Sequence, residues 1–293
     1  QFVEAGLKNV SYHEFWVPDA VDHGANVTLL STGETFRIFP MKPNFGAPST
    51  IPPGGISGKL VYAGKGHLPD FDGLDVEGSI VLLDWDTGID WIIAANLGAQ
   101  AVIFLPSAYV PDVGVPRTVN VPFAYPRFTV DEEAAEVLVR HLGEDVKLVA
   151  RTYWENVRGV NVVGFLEGTG TEQERAKIII LSSYFDSGSV ASSWAPGAEE
   201  SMGIGSLIEY AKWLSRNPPR YTVMFVAFSG HHQNLAGAMR FLEDWVYPAY
   251  DQTRHAVGVK FIGQFNLDLS GGSRVPYLTR LGDFMRLYGG YQD

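Results

Sequence analysis

Apolar runs of strand length alternate with stretches of helical spacing along most of the chain. Ser79 to Asp84, Ala101 to Leu105, Lys177 to Ser182 and Thr222 to Phe228 are near-continuous apolar runs of the kind buried on both faces of a sheet, and Lys260 to Leu269 also reads as a strand. Between them, Asp90 to Leu97, Asp131 to Leu142, Glu199 to Leu214 and Leu235 to Trp245 place apolar residues at helical spacing. Strands alternating with helices predict an α/β fold with a mostly parallel sheet covered by helices. In such sheets ligands bind beyond the carboxyl ends of the strands.

The first forty residues differ. Val10 to Val17 alternates apolar and polar, and Asn26 to Leu30 and Thr35 to Ile38 flank the turn-rich Ser31-Thr32-Gly33-Glu34, which predicts a hairpin. Pro40 to Gly58 is rich in Pro, Gly and Ser and reads as a loop or a linker between domains. Asp131 is placed to cap the helix that follows it, and two acids in the first turn suit the helix dipole.

Composition narrows the function. A formal charge of −11 argues against nucleic acid and against an anionic membrane surface as partners. No stretch reaches the roughly 18 apolar residues of a membrane span. The absence of cysteine excludes disulfides, thiolate metal sites and a cysteine nucleophile. No G-x-S-x-G elbow, H-E-x-x-H helix or phosphate-binding G-x-x-x-x-G-K-[ST] loop occurs. The chain opens at Gln1 without a Met and reads as a processed or partly observed product. Asn9-Val10-Ser11 and Asn26-Val27-Thr28 are glycosylation-type triplets.

The predicted strand ends carry Tyr184 and Asp186, Glu199 and Glu200, His231 and His232, and Asp268. Carboxylates with imidazoles are the ligand set of zinc and similar divalent ions. Each residue also has a structural role open to it. The glutamates suit a helix N-terminus, the histidines a strand-to-helix turn, Asp268 a turn before Gly271, and Tyr184 the core. Neighbours on an extended strand point opposite ways, so both histidines can face one point only if the chain bends there.

In order, these segments resemble the M28 family of zinc peptidases, in the layout of the branch containing glutamate carboxypeptidase II and the transferrin receptor. Gly78-Ser79-Ile80-Val81-Leu82-Leu83, Ala94 to Phe104 and Val121-Pro122-Phe123 are similar to a protease-associated domain. Asn161-Val162-Val163-Gly164, Pro219-Arg220-Tyr221 and Phe225-Val226-Ala227-Phe228 are similar to strands of the peptidase domain. The resemblance implies that residues 1–45 are strands of the peptidase-like domain, 46–150 an inserted protease-associated unit, and 151–293 the remainder of the peptidase-like domain, incomplete at its C-terminus.

The resemblance also implies roles. His231 stands at the position of the family's general base, and Tyr184, Glu200, His232 and Asp268 stand at metal-ligand positions. Asp186 keeps the orienting place. Tyr184 replaces a histidine, Glu200 an aspartate, and His231 and His232 a pair of glutamates, so the metal site is degenerate. The implied function is an extracellular or cell-surface scaffold that has lost peptidase activity, holds no metal, and acts through protein partners or self-assembly. The alternative is an active aminopeptidase or carboxypeptidase on peptide substrates, with one divalent ion, zinc, held by Glu200, His232 and Asp268.

Overall fold

The structure, a computed structural model, describes residues 1–106, 121–195, 201–247 and 260–268. Two strands of 22 residues, β1 (Lys8–Leu29) and β8 (Asp145–Leu166), form an antiparallel ribbon. At about 3.3 Å per residue each is about 70 Å long. β1 turns back into β2 (Thr35–Arg37) with Val27 opposite Phe36, the expected hairpin. Gly33 takes φ +78° in that turn, a conformation that costs glycine little.

β8 divides its other edge between two groups of strands. Near its start it pairs antiparallel with β4 (Ile56–Tyr62), placing Leu148 opposite Ile56. Near its end it pairs antiparallel with β10 (Thr222–Phe228), placing Val162 opposite Ala227. From β4 the sheet continues in parallel through β5 (Ile80–Asp84), β6 (Ala101–Leu105) and β7 (Arg127–Thr129), and ends on β3 (Phe39–Pro40). From β10 it continues in parallel through β9 (Lys177–Tyr184) to β11 (Lys260–Asn266). The α/β class read from the sequence holds. The sheet is mixed: parallel from β4 to β7 and from β10 to β11, and antiparallel along the β1–β8 ribbon, where β8 meets β4 and β10, and where β3 meets β7.

Alternate side chains of these strands enter separate cores. Ile80 and Leu82 of β5 pack with Val146 and Leu148 of β8 and with Leu138 of α2 (Glu132–Arg140). Val81 and Leu83 face the other way, onto Trp91 and Ala94 of α1 (Trp91–Asn96). In the other half, Val223, Phe225 and Ala227 meet Leu207 and Ala211 of α4 (Ser201–Arg216). Met224, Val226 and Phe228 meet Phe241 of α5 (Ala236–Phe241). Burying one such side chain stabilises the fold by about 1.5–3 kcal/mol. Every residue of β10 is buried, which accounts for its unbroken apolar sequence.

The Asp131 carboxylate accepts the Ala134 N–H at 2.8 Å, the cap expected for α2. Three elements depart from the sequence reading. β1 is one strand, because a register shift between Asp22 and Ala25, with Gly24 at φ +117°, absorbs the non-alternating residues there. The stretch read as a linker contributes Pro40 to β3 and Ile56–Gly58 to β4. The helix expected to reach Trp245 ends at Phe241 and widens into a π-helical turn over Leu242–Val246.

Candidate functional site

Tyr184 ends β9 and lies in parallel register with Phe228, which ends β10. Past Phe228 the chain must bend. The Asn161 carboxamide of β8 sets the bend: its oxygen accepts the Ser229 N–H at 3.0 Å and its nitrogen donates to the Gly237 carbonyl at 2.8 Å. Ser229 Oγ accepts the Val160 N–H at 2.9 Å. Gly230 then takes φ +68°, and the Gly230 carbonyl accepts the Ala236 N–H at 2.9 Å.

Both imidazoles therefore reach one phenol, the bend that adjacent histidines required. The His231 ring stacks on Tyr184 with centroids 3.8 Å apart and planes 18° from parallel. The His232 ring stands nearly perpendicular to Tyr184 at 5.9 Å and to His231 at 5.1 Å. Asp186 Oδ2 accepts the His231 backbone N–H at 2.9 Å. Asp186 Oδ1 is buried and has no hydrogen-bond partner among the described residues. Gly188 packs against His232 so closely that a Cβ there would lie 2.5 Å from Cγ of the ring.

The ends of β9 and β11 and the start of α4 converge beside this cluster. Ser183 Oγ donates to the Leu267 carbonyl at 2.8 Å, and the Leu267 N–H donates to the Ser182 carbonyl at 2.7 Å. A Cβ on Gly203 would fall 2.5 Å from both Ser183 Oγ and the Leu267 carbonyl oxygen. Asp268 follows Leu267 and is exposed. Tyr184, Asp186, His231 and His232 are thus gathered, and Asp268 sits at the neighbouring strand end. Glu199 and Glu200 lie outside the described residues, just before α4. Among the described residues no three His, Asp or Glu side chains stand close enough together to hold a metal ion.

His232 also lines a pocket of about 540 Å³ bounded by β1, α5 and the segment around Lys42. Burial holds the Lys42 ammonium below its usual pKa, against the opposing pull of Asp19 and Asp186. Asp19 Oδ2 accepts a hydrogen bond from Gln233 Nε2 at 3.1 Å. Sequence reasoning missed Lys42, Asp19 and Gln233. Lys42 lies in the stretch read as a linker, and Gln233 adjoins the histidines without carrying a ligand chemistry of its own.

Carboxylate, imidazole and phenol side chains thus gather at the carboxyl ends of the strands, the place where open α/β sheets bind ligands. Residues 161–287 match the model of peptidase family M28. No curated protein matches the chain. Among solved structures, it is similar to BSAP, a zinc aminopeptidase from Bacillus subtilis, at 18% identity and a TM-score of 0.60. That similarity covers 90% of this chain and 60% of BSAP. It is also similar to a peptidase M28 precursor from Shewanella amazonensis SB2B, at 16% identity and a TM-score of 0.55, covering 83% of this chain and 59% of the other. At these identities the likeness concerns the fold, and the chain spans about 60% of the length of each of these structures. Among the described residues no helix is long and apolar enough to cross a membrane.

Proposed function

We propose that this is an M28 peptidase-type protein that has lost metallopeptidase activity and works outside the cell as a binding or assembly scaffold for protein partners. In this reading residues 46–150 form a protease-associated unit on the peptidase-like frame. The observation that carries the proposal is the stack of Tyr184 on His231. With centroids 3.8 Å apart the two rings are in van der Waals contact, and no ion fits between them. A phenol is a poor metal ligand unless ionised, and its unperturbed pKa is about 10. His231 in the place of a carboxylate base becomes a cation on accepting a proton, which opposes work beside metal dications. The residues present therefore do not fit a paired-zinc centre. The exposed Asn9 and Asn26, each in a glycosylation-type triplet on β1, agree with a place outside the cell.

A second reading has one observation in its favour. The buried Asp186 Oδ1, without a hydrogen-bond donor among the described residues, is an acceptor that a cation would satisfy. On this reading Glu200, His232 and Asp268 hold a single divalent ion and His231 serves as the base.

Metal analysis of protein purified without chelator, together with hydrolysis of aminoacyl and peptidyl substrates, separates the two. The scaffold reading expects far less than one zinc per chain and no turnover above background. Turnover abolished by a chelator overturns it. The variant Tyr184→His, Glu200→Asp, His231→Glu, His232→Glu is expected to gain zinc binding if the pocket keeps the family's outline.

A further inference from the structure

The pocket beside His232 has a built floor and an aromatic rim. Its rim carries Trp16, Phe45 and Trp154, which are 65%, 69% and 53% exposed and come from three separate segments. Trp154 is held in place by its indole N–H, which donates to the Gly46 carbonyl at 3.1 Å. The strap from Lys42 to Gly46 is itself anchored. The Lys42 N–H donates to the Val190 carbonyl at 2.6 Å, and the Lys42 carbonyl accepts from the buried Arg127 guanidinium at 2.7 Å. Asn44, also buried, donates from its side chain to the Val121 carbonyl at 2.6 Å.

Four charged side chains line this pocket, and three are already engaged. Arg240 and Glu243 pair with each other at 2.8 Å. Asp19 accepts from the Ala20 N–H at 2.9 Å and from Gln233 at 3.1 Å. The Lys42 ammonium makes no ion pair and no side-chain hydrogen bond among the described residues, although it is half-buried. Asp19 and Asp186 attract this ammonium without contacting it, and a desolvated ammonium that lacks a direct contact gains more than any other group here from an incoming anion. The aromatic rim supplies the complementary surface for an apolar body of side-chain size, and about 540 Å³ is within the range of small-ligand sites.

We infer that this pocket binds the C-terminal end of a peptide, with the terminal carboxylate on Lys42 and an apolar or aromatic last side chain between Trp16, Phe45 and Trp154. The inference rests on the scaffold reading only in that the bound peptide is retained rather than cut.

The test uses the full chain and three probes: N-acetyl-Ala-Phe with a free carboxylate, the same dipeptide as its C-terminal amide, and 3-phenylpropionate. Binding is read by calorimetry and by quenching of tryptophan fluorescence. The expected result is at least ten-fold tighter binding of the acid than of the amide. Phenylpropionate is expected to bind more weakly than the peptide acid; equal or tighter binding would assign the pocket to small carboxylates and overturn the peptide assignment. Lys42→Gln should remove the preference for the acid while leaving binding of the amide unchanged. Lys42→Arg, which keeps the charge, should retain it. Equal binding of acid and amide by the native chain, binding of neither, or an undiminished preference in Lys42→Gln overturns the inference. Chromatography of the mixtures detects cleavage separately. Cleaved peptide counts against the scaffold reading and leaves the carboxylate preference standing.

Discussion

Gly188 has no room for a side chain. A Cβ would meet the Cγ of His232 at 2.5 Å, and the Cγ belongs to a ring wedged perpendicular to both Tyr184 and His231. The ring cannot yield without disturbing the stack. Gly188→Ala is therefore expected to displace His232 and to destabilise the protein by about 1–3 kcal/mol, as overpacking does. Urea unfolding measures the loss. Imidazole NMR signals report the displacement, with His231 and His232 shifting and the remote His67, near Asp90, unchanged. An unchanged midpoint and unchanged signals would mean that the imidazole is not held by Gly188. The same packing explains why the cluster is legible only in part from sequence. The residue types at positions 184, 186, 231 and 232 announce a polar strand end, but the contact between Tyr184 and His231 depends on the Phe228–Tyr184 register and on the bend at Gly230.

At the scale of elements, α3 (Glu172–Arg175) is tied to the start of β10 by an ion pair and by the Thr222 hydroxyl, which donates to the Arg175 carbonyl at 2.8 Å. Arg220 on that approach pairs with Glu174, whose second oxygen accepts the Thr171 N–H at 2.9 Å. The Arg220 guanidinium, followed by the Thr171 N–H, lowers the Glu174 pKa from 4.5 to about 2. A carboxylate depressed in the folded state adds stability that is complete above about 4.5 and is lost as the pH falls toward 2. Arg220→Ala should therefore lower stability at neutral pH and flatten the acid limb, the native and variant proteins converging as the pH falls toward 2, with a small overall difference because exposed pairs contribute little. Denaturant midpoints taken from pH 6 to pH 2 check this, and an unaltered acid limb would show that Arg220 is not the cause. Elements defined by period alone, such as β6 and β10, coincide with their sequence reading to the residue. The elements that departed depend on distant partners. β1 passes through its irregular stretch because β8 pairs with it on both sides of the bulge. Lys42 became part of a pocket because Val190 and Arg127, far along the chain, hold its backbone.

For the whole molecule the decisive element is β8. Its first residues pair with β4 and its last with β10, so one continuous strand belongs to both parallel runs. Neither run can lose β8 without leaving backbone donors and acceptors of the other unpaired, and buried groups of that kind cost about 1–3 kcal/mol each. The two halves should therefore unfold as one cooperative unit although their apolar cores are separate. Phe225→Ala tests this, because Phe225 is fully buried in the core beneath α4, away from β5. The truncation is expected to remove about 3–5 kcal/mol. Native-state hydrogen exchange then reads both halves in one experiment. If β8 couples them, the slowest amides of β5 lose protection by the same free energy as those of β10. If β10 amides weaken while β5 amides keep their native protection, the runs open independently, and β8 serves as a tether between two separately folding bodies.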